Sequence, residues 1–328
     1  MDEEILLLLR EHPFTFLSGE EISRRMKVSR TAIWKRIRHL KSLGYEIEAS
    51  TRSGYRLIQS PDLLTPAEVK PLLKTKWMGR MIHYFPALDS TNSKAYQLAL
   101  NGAKEGEVVI AELQEQGRGR LGRDWFSPPF LNLYLSVILR PEIPPHQASL
   151  ITLMAAVATA EAIQQSSGIQ PFIKWPNDIL LRGRKVAGLL NEIQSEMDRI
   201  HFIILGIGVN LNMDERMFSK EIRSVATSLK EEMGQTISRK SFLQCLLEKL
   251  EDWYTIFLKE GAETVLKAWK DKAQIKGRRV KVTSFGETLI GTAVDVDSNG
   301  ALILETKDGD RKRVVAGDIE YHSKNIVL

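Results

Sequence analysis

The sequence has almost no cysteine: Cys245 is the only one, so no intrachain disulfide can brace the fold. No Cys/His group has the spacing of a zinc site, which sets aside a metal-organised module. Long apolar runs are missing too. The most apolar longer stretch, Ile151 to Ile163, is interrupted by Thr152, Thr159 and Glu161 and is too short and polar to span a bilayer. At the start, Asp2, Glu3 and Glu4 stand where a secretory signal needs positive charge, and the apolar run behind them is only Ile5 to Leu9. A cytoplasmic protein with no membrane partner is expected.

What is present is the composition of a folded chain. Its 43% hydrophobic and 27% charged residues exclude disorder, and 328 residues exceed what one core usually serves. The net charge is only +5, from 46 Lys+Arg against 41 Asp+Glu, but it is unevenly spread. From Arg24 to Lys41 there are eight basic residues and no acid. Such a block is either a solvated helix face or a footprint for phosphates.

The surrounding elements favour the second reading. Ile5–Arg10 reads as a short apolar helix. Ser18-Gly19-Glu20-Glu21 has the form of an N-cap with acids in the first turn, opening a helix that ends near Met26. Lys27-Val28 makes a tight turn, Ser29 caps a second helix with Ile33, Ile37 and Leu40 on one face, and Gly44 stops it. This is a helix-turn-helix at about residues 19–38. Its second helix exposes Arg30, Thr31, Trp34, Lys35 and Arg38; Arg30 and Thr31 are placed for base edges, and the later basics suit phosphates. Two alternating strands, Tyr45–Ala49 and Gly54–Ile58, form a hairpin wing with Arg52 at its tip. A winged helix-turn-helix that binds DNA is expected; a helical protein-interaction domain is the competing reading. Pro61 to Pro66 reads as a linker.

From Ile82 onward β-like runs alternate with amphipathic helices, as in an α+β sheet domain. Strands are expected at Ile82–Phe85, Val108–Leu113, Leu131–Leu139, Phe172–Trp175, Lys185–Ile193 and Phe202–Leu211. Helices are expected at Ser93–Asn101, His146–Ser166 and Ser238–Glu260. Gly117 to Gly122 satisfies G-x-G-x-x-G, but Pro128-Pro129 forbids the helix that dinucleotide binding requires, and Glu142 lies in a proline-rich turn. What remains is a glycine-rich loop bearing Arg118, Arg120 and Arg123, suited to phosphate or carboxylate and expected to be mobile without ligand. A plain surface turn has the same spacing. In Lys174-Trp175-Pro176-Asn177-Asp178, Asp178 is either a turn cap or a site acid. Lys185, followed by Val186-Ala187-Gly188, must snorkel or meet an anion. Gly206 and Gly208 permit close approach of something flat, or simply tight sheet packing.

Taken together, Gln114 to Trp125, Lys174 to Asp178, Lys185 to Gly188, Gly206 to Asn210 and the earlier Asp89-Ser90-Thr91-Asn92 resemble the biotin protein ligases. With the winged helix, the chain resembles the bifunctional bacterial type, in which ligase and biotin operon repressor share one polypeptide. The resemblance covers essentially the whole chain. It implies that ATP, with Mg2+, activates the substrate biotin to biotinyl-5′-AMP, and that biotin passes to a lysine of a biotin carboxyl carrier protein domain. It further implies that the adenylate acts as corepressor on a homodimer bound to operator DNA. Carried over by position, Ser90, Thr91, Asn92, Gln114, Arg118, Gly119, Arg120 and Lys185 hold biotin. Arg120, Arg123, Trp125, Asn177 and Asn210 hold the nucleotide, with Trp125 walling the adenine. Lys185, Arg118 and Asp178 are the catalytic set, Asp178 being the base or orienter for the incoming amine. No resident metal site is expected. A lipoate or octanoate ligase, and a non-catalytic ligand-sensing transcription factor, are the alternatives.

After Lys272 the pattern changes to short strands, Val280–Val282, Thr288–Val296, Ala301–Glu305 and Arg311–Val315, separated by turns at Phe285-Gly286, Ser298–Gly300 and Asp308-Gly309. They read as a small β-barrel like the family's SH3-like C-terminal domain, either covering the nucleotide and docking the carrier or a structural appendage. The expected organisation is therefore α+β multidomain: a winged helix-turn-helix at 1–63, a ligase-like catalytic domain at 64–273 and an SH3-like barrel at 274–328.

Overall fold

The computed structural model describes residues 1–284 and 287–321, so the turn read at Phe285-Gly286 lies outside the described residues. The chain divides into two compact units, Met1–Leu72 and Leu73–Leu328.

In the first unit, α1 (Asp2–Glu11) begins earlier than its apolar run because Asp2, Glu3 and Glu4 occupy the first turn, where acids complement the helix dipole. Ser18 Oγ accepts from the Glu21 amide and Ser29 Oγ from the Ala32 amide, capping α2 (Gly19–Met26) and α3 (Arg30–Ser42) as expected. Lys27 makes the turn between them at a φ of 56°. Ile5, Leu6, Leu9, Ile22, Ile33, Ile37 and Leu40 form one buried core. Each such side chain contributes roughly 1.5–3 kcal/mol on burial. The wing is the antiparallel pair β1 (Glu46–Ser50) and β2 (Gly54–Gln59). Gly54, at φ 106°, cannot carry a side chain, since a Cβ would lie 2.0 Å from the Leu17 carbonyl oxygen. That approach lets Leu17 and Tyr55 exchange backbone hydrogen bonds at 2.9 and 2.8 Å, joining the wing to the helices. The stretch from Pro61 to Pro66 is packed rather than loose. Leu64 is fully buried, and Arg10 donates to the Ala67 carbonyl at 2.5 Å and to Glu68 in α4 (Pro66–Val69).

The second unit is built on a seven-stranded sheet. Its elements are β3 (Ile82–Phe85), α5 (Thr91–Leu100), β4 (Val108–Ala111), β5 (Leu133–Leu139), α6 (Ala148–Ser167), β6 (Phe172–Lys174), β7 (Asp178–Leu181), β8 (Arg184–Ser195), β9 (Ile200–Val209), α7 (Leu229–Met233), α8 (Arg239–Glu260) and α9 (Ala262–Ala273). The strand order is β3-β4-β5-β9-β8-β7-β6, with only the β3/β4 pair parallel. Val109, Ile138, Phe202 and Ile204 pack under α5, while their neighbours Val108, Val137, Ile203 and Leu205 are equally buried. Alternate residues of a strand point to opposite faces, so the sheet is covered on both. The stretch Ile151–Ile163 lies in α6 and is buried almost all round, against α8, α9 and the sheet. No described helix is long and apolar enough to cross a membrane.

The C-terminal strands are β10 (Arg279–Ser284), β11 (Glu287–Val296), β12 (Leu302–Glu305), β13 (Arg311–Val314) and β14 (Asp318–Tyr321). They correct the expected barrel. The sheet runs β13-β12-β11-β10-β14, and its two outer strands do not pair among the described residues, so it stays open. A barrel needs edge-to-edge closure. Here β14 instead begins against the glycine-rich loop: the Gly317 carbonyl and the Asp318 carboxylate receive Arg120 and Arg123.

Candidate active site

Lys185 is delivered by the β7–β8 hairpin. Its two-residue turn, Arg182 and Gly183, has φ values of 46° and 80°, the pattern that suits the right-handed twist of a hairpin. One step further a register shift inserts Val186 between the Ala187 and Lys185 pairings, a bulge of the kind that re-aims a side chain. Lys185 Nζ then lies 2.6 Å from Asp178 Oδ1 at the start of β7, and 5.3 Å from the centre of the Trp125 ring. The lysine side chain remains one-third exposed, so it is available to an incoming anion.

Beside this pair is a cage of neutral polar groups. Gln114 Oε1 accepts from the Thr91 amide and hydroxyl at 2.9 and 3.0 Å, while its Nε2 donates to Ser127 Oγ at 3.0 Å. Ser136 Oγ lies 2.8 Å from Thr91 Oγ1 and 2.6 Å from Asn92 Oδ1. Asn92 Nδ2 donates to Glu192 Oε2 at 2.7 Å. The glycines of β9 explain themselves at this point. A Cβ on Gly206 would lie 2.1 Å from Asn92 Oδ1, and one on Gly208 would lie 2.6 Å from the Trp125 indole. The flat group that Gly208 admits is the protein's own tryptophan.

The glycine-rich loop folds back on itself. The Gly119 amide donates to the Arg123 carbonyl at 2.6 Å and the Trp125 amide to the Gly117 carbonyl at 2.8 Å. Each loop arginine finds a polar partner. Arg118 Nη2 is 2.9 Å from both oxygens of Glu192. Arg120 Nη1 donates to Asn177 Oδ1 at 3.2 Å and to the Gly317 carbonyl at 3.3 Å, and Arg123 pairs with Asp318. Burial pushes the Arg120 guanidinium below its ordinary pKa, with Asp318 and Asp178 acting against the shift. The Trp125 indole N–H is enclosed without a hydrogen-bond partner.

One cleft gathers Ser90, Thr91, Asn92, Gln114, Arg118, Gly119, Arg120, Arg123, Trp125, Asn177, Asp178 and Lys185. Asn210 does not line it; its side chain donates to the Thr227 carbonyl at 3.0 Å. Sequence reasoning missed Glu192, Ser136 and Asp318. An acid inside the apolar run Leu189–Ile193 was the available signal for the first, whereas Ser136 and Asp318 carry none. Among the described residues no group of three or more His, Cys, Asp or Glu is arranged to hold a metal ion.

In the first unit, Arg30, Thr31, Trp34, Lys35 and Arg38 are exposed on α3, with the Arg38 guanidinium 4.7 Å from the centre of the Trp34 ring. Arg30, Thr31, Trp34, Arg38, Lys41 and the wing residues Thr51 and Arg52 line one groove.

Cations crowded beside a cage for neutral polar groups suit a ligase that must bring a carboxylate against a phosphate, and the same chain carries a helix-turn-helix. Residues 84–210 match the Biotin/lipoate A/B protein ligase family, residues 2–56 an HTH domain, and residues 276–321 the Biotin protein ligase C terminal domain. The chain is 39% identical to the Bifunctional ligase/repressor BirA of Bacillus subtilis (strain 168), over 97% of this chain and 98% of that protein. It is 32% identical to the Bifunctional ligase/repressor BirA of Escherichia coli (strain K12), over 94% of each. A biotin protein ligase from Aquifex aeolicus, solved with biotin and ATP, superposes with a TM-score of 0.64 at 27% identity, covering 74% of this chain and 99% of that one. The chain belongs to the biotin protein ligases, in their bifunctional ligase/repressor form.

Proposed function

We propose that the protein is an ATP-dependent biotin protein ligase that forms biotinyl-5′-AMP, transfers biotin to a lysine of a biotin carboxyl carrier protein domain, and represses biotin genes when the adenylate is bound. In this reading it works in the cytoplasm, with functional boundaries at 63/64 and 273/274. The observation that carries the catalytic part is the shared cleft: Lys185, paired with Asp178 at 2.6 Å, stands beside the Thr91–Asn92–Gln114 cage.

The chemistry sets the demands. Biotin's carboxylate oxygen attacks the α-phosphorus of ATP and pyrophosphate leaves, so two anions must meet. Preorganised cations reduce that repulsion most where water is excluded. Lys185 is assigned to the carboxylate and α-phosphate oxygens, and Arg118 and Arg120 to the surrounding charge. Magnesium belongs to the nucleotide here, neutralising triphosphate oxygens as a hard cation. Ser90, Thr91, Asn92 and Gln114 offer both donors and acceptors, which suits a ureido group. Trp125 walls the adenine, with Arg120, Arg123 and Asn177 as the remaining nucleotide contacts in the cleft, while Asn210, which does not line it, is assigned to the nucleotide side by the resemblance. In the second step the carrier lysine's neutral amine attacks the acyl carbon of the mixed anhydride and AMP departs, with Asp178 accepting the amine proton.

For repression, Arg30 and Thr31 are assigned to base edges, with Trp34, Lys35, Arg38 and the wing Arg52 beside the phosphates. A two-fold operator requires a homodimer, assigned to the adenylate-bound form. The test of the enzyme is direct. Protein, ATP, magnesium and biotin are mixed with a carrier domain, and its lysine is followed by mass. Gain of one biotinyl group supports the reading; gain with lipoate or octanoate but not biotin replaces it.

A further inference from the structure

The turn that presents Lys185 is strained. Arg182, with φ 46°, lies in a region that residues other than glycine, asparagine and aspartate rarely adopt. One carboxylate lies against both arginines of the turn. The Glu232 side chain, in α7, is wholly enclosed; its Oε1 accepts from Arg184 Nη2 at 2.7 Å, while its Oε2 pairs with the exposed Arg182 guanidinium at 3.3 Å without a hydrogen bond. The arginines on both sides of Gly183 therefore converge on one acid, immediately before Lys185.

Glu232 also reaches Lys185 by a second route. Its Oε1 accepts from Thr227 Oγ1 at 2.7 Å. The Thr227 amide donates to the Lys185 carbonyl at 2.9 Å, and the Lys185 amide donates to the Val225 carbonyl at 2.7 Å. The Thr227 carbonyl in turn accepts from Asn210 Nδ2. Thr227 thus touches the Lys185 backbone, the Asn210 side chain and the buried acid.

A buried carboxylate that only stabilised the fold would often be replaceable by apolar packing. This one has its partners on the segments that flank Lys185. We infer that Glu232 is a positioning residue for Lys185, acting through Arg182, Arg184 and Thr227 and touching no substrate. The inference rests on the assignment of Lys185 to the adenylation step. Thr227 makes the nucleotide-side residue Asn210 and the cation Lys185 answer to one hub.

The test uses the full chain with Thr227→Val, Thr227→Ser and Glu232→Gln, and reads two quantities. The first is amide hydrogen exchange at Lys185 and Thr227 without ligand. Thr227→Val and Glu232→Gln should speed it about tenfold or more, with Thr227→Ser close to wild type. The second is biotin-dependent ATP–pyrophosphate exchange. Its kcat should fall toward about a hundredfold, the effect of roughly 1 Å of misplacement, with KM for biotin changed by less than about twofold. Unchanged protection or unchanged kcat in folded Thr227→Val overturns the inference. So does an equal loss in Thr227→Ser, which would mark a general structural effect. Should Glu232→Gln fail to fold, Thr227→Val decides. A wild-type protein that shows no biotin-dependent exchange defeats the ligase reading instead, and the amide protection then decides the clamp alone.

Discussion

Gly206→Ala adds one methyl group at the point where the sheet meets the Thr91–Asn92–Gln114 cage. The added Cβ would lie 2.1 Å from Asn92 Oδ1 and within 3.0 Å of the other two amide atoms. Ordinary contact begins near 3.4 Å, so the amide must retreat by about 1.3 Å. It is held on both sides: Oδ1 is 2.6 Å from Ser136 Oγ, and Nδ2 is 2.7 Å from Glu192. A shift of that size breaks both hydrogen bonds, since neither remains within reach beyond about 3.5 Å. At about 1 kcal/mol each, with Arg118 still donating to Glu192, the loss is about 2 kcal/mol. If Asn92 holds biotin, affinity should fall by roughly 30-fold, because each 1.4 kcal/mol is tenfold. Isothermal titration of biotin against wild type and variant measures this, with circular dichroism reporting the fold. A folded variant that binds biotin as tightly as wild type would refute the placement of Asn92 in the biotin site.

The glycines of β9 mark where sequence reading stops. Two adjacent alternatives, a flat ligand or tight packing, were open at Gly206 and Gly208, and only the close approach of Asn92 and Trp125 separates them. The helix-turn-helix was legible because its caps are local: Ser18 and Ser29 each bond three residues ahead. Lys185, Asp178 and the loop arginines were legible as chemistry because they stand among small or turn-forming residues. Glu192 and Ser136 were not, because their role depends on strands that pair across the sheet rather than on neighbours in the chain. The same limit explains the C-terminal error. Short strands and turns look alike in a barrel and an open sheet, and the difference lies in whether β14 meets β13 or the loop carrying Arg120 and Arg123.

Further outcomes follow from the same geometry. Lys185→Ala should leave the fold intact and nearly abolish biotinyl-adenylate formation; a wild-type rate of adenylation would end its assignment. Arg118→Gly removes the contact to Glu192, and with an exposed ion pair worth up to about 1 kcal/mol the adenylate should dissociate up to about fivefold faster and label bystander lysines, read by trapping released adenylate. Arg239→Met removes the guanidinium that pairs with the enclosed Glu112 carboxylate at 2.5 Å, and should lower stability by about 3–5 kcal/mol in urea titrations. The regulatory half is tested by operator DNA. One occupied site has two outcomes, transfer to a carrier or persistence of the adenylate, and persistence is what a cell short of acceptor would register. If the bound adenylate orders the loop from Gln114 to Trp125, the ordering cost is already met when a second copy associates, so ligand and dimer stabilise each other. Two winged helices in fixed register then gain from effective concentration on paired half-sites. If Lys35, Arg38 and Arg52 of both copies each meet a phosphate, log affinity should fall with log salt at a slope of about −5. Operator titrations with and without biotin plus ATP, at several salt concentrations and with sedimentation following the dimer, measure both effects. Equal operator affinity in the two conditions would separate repression from the chemistry and remove the coupling.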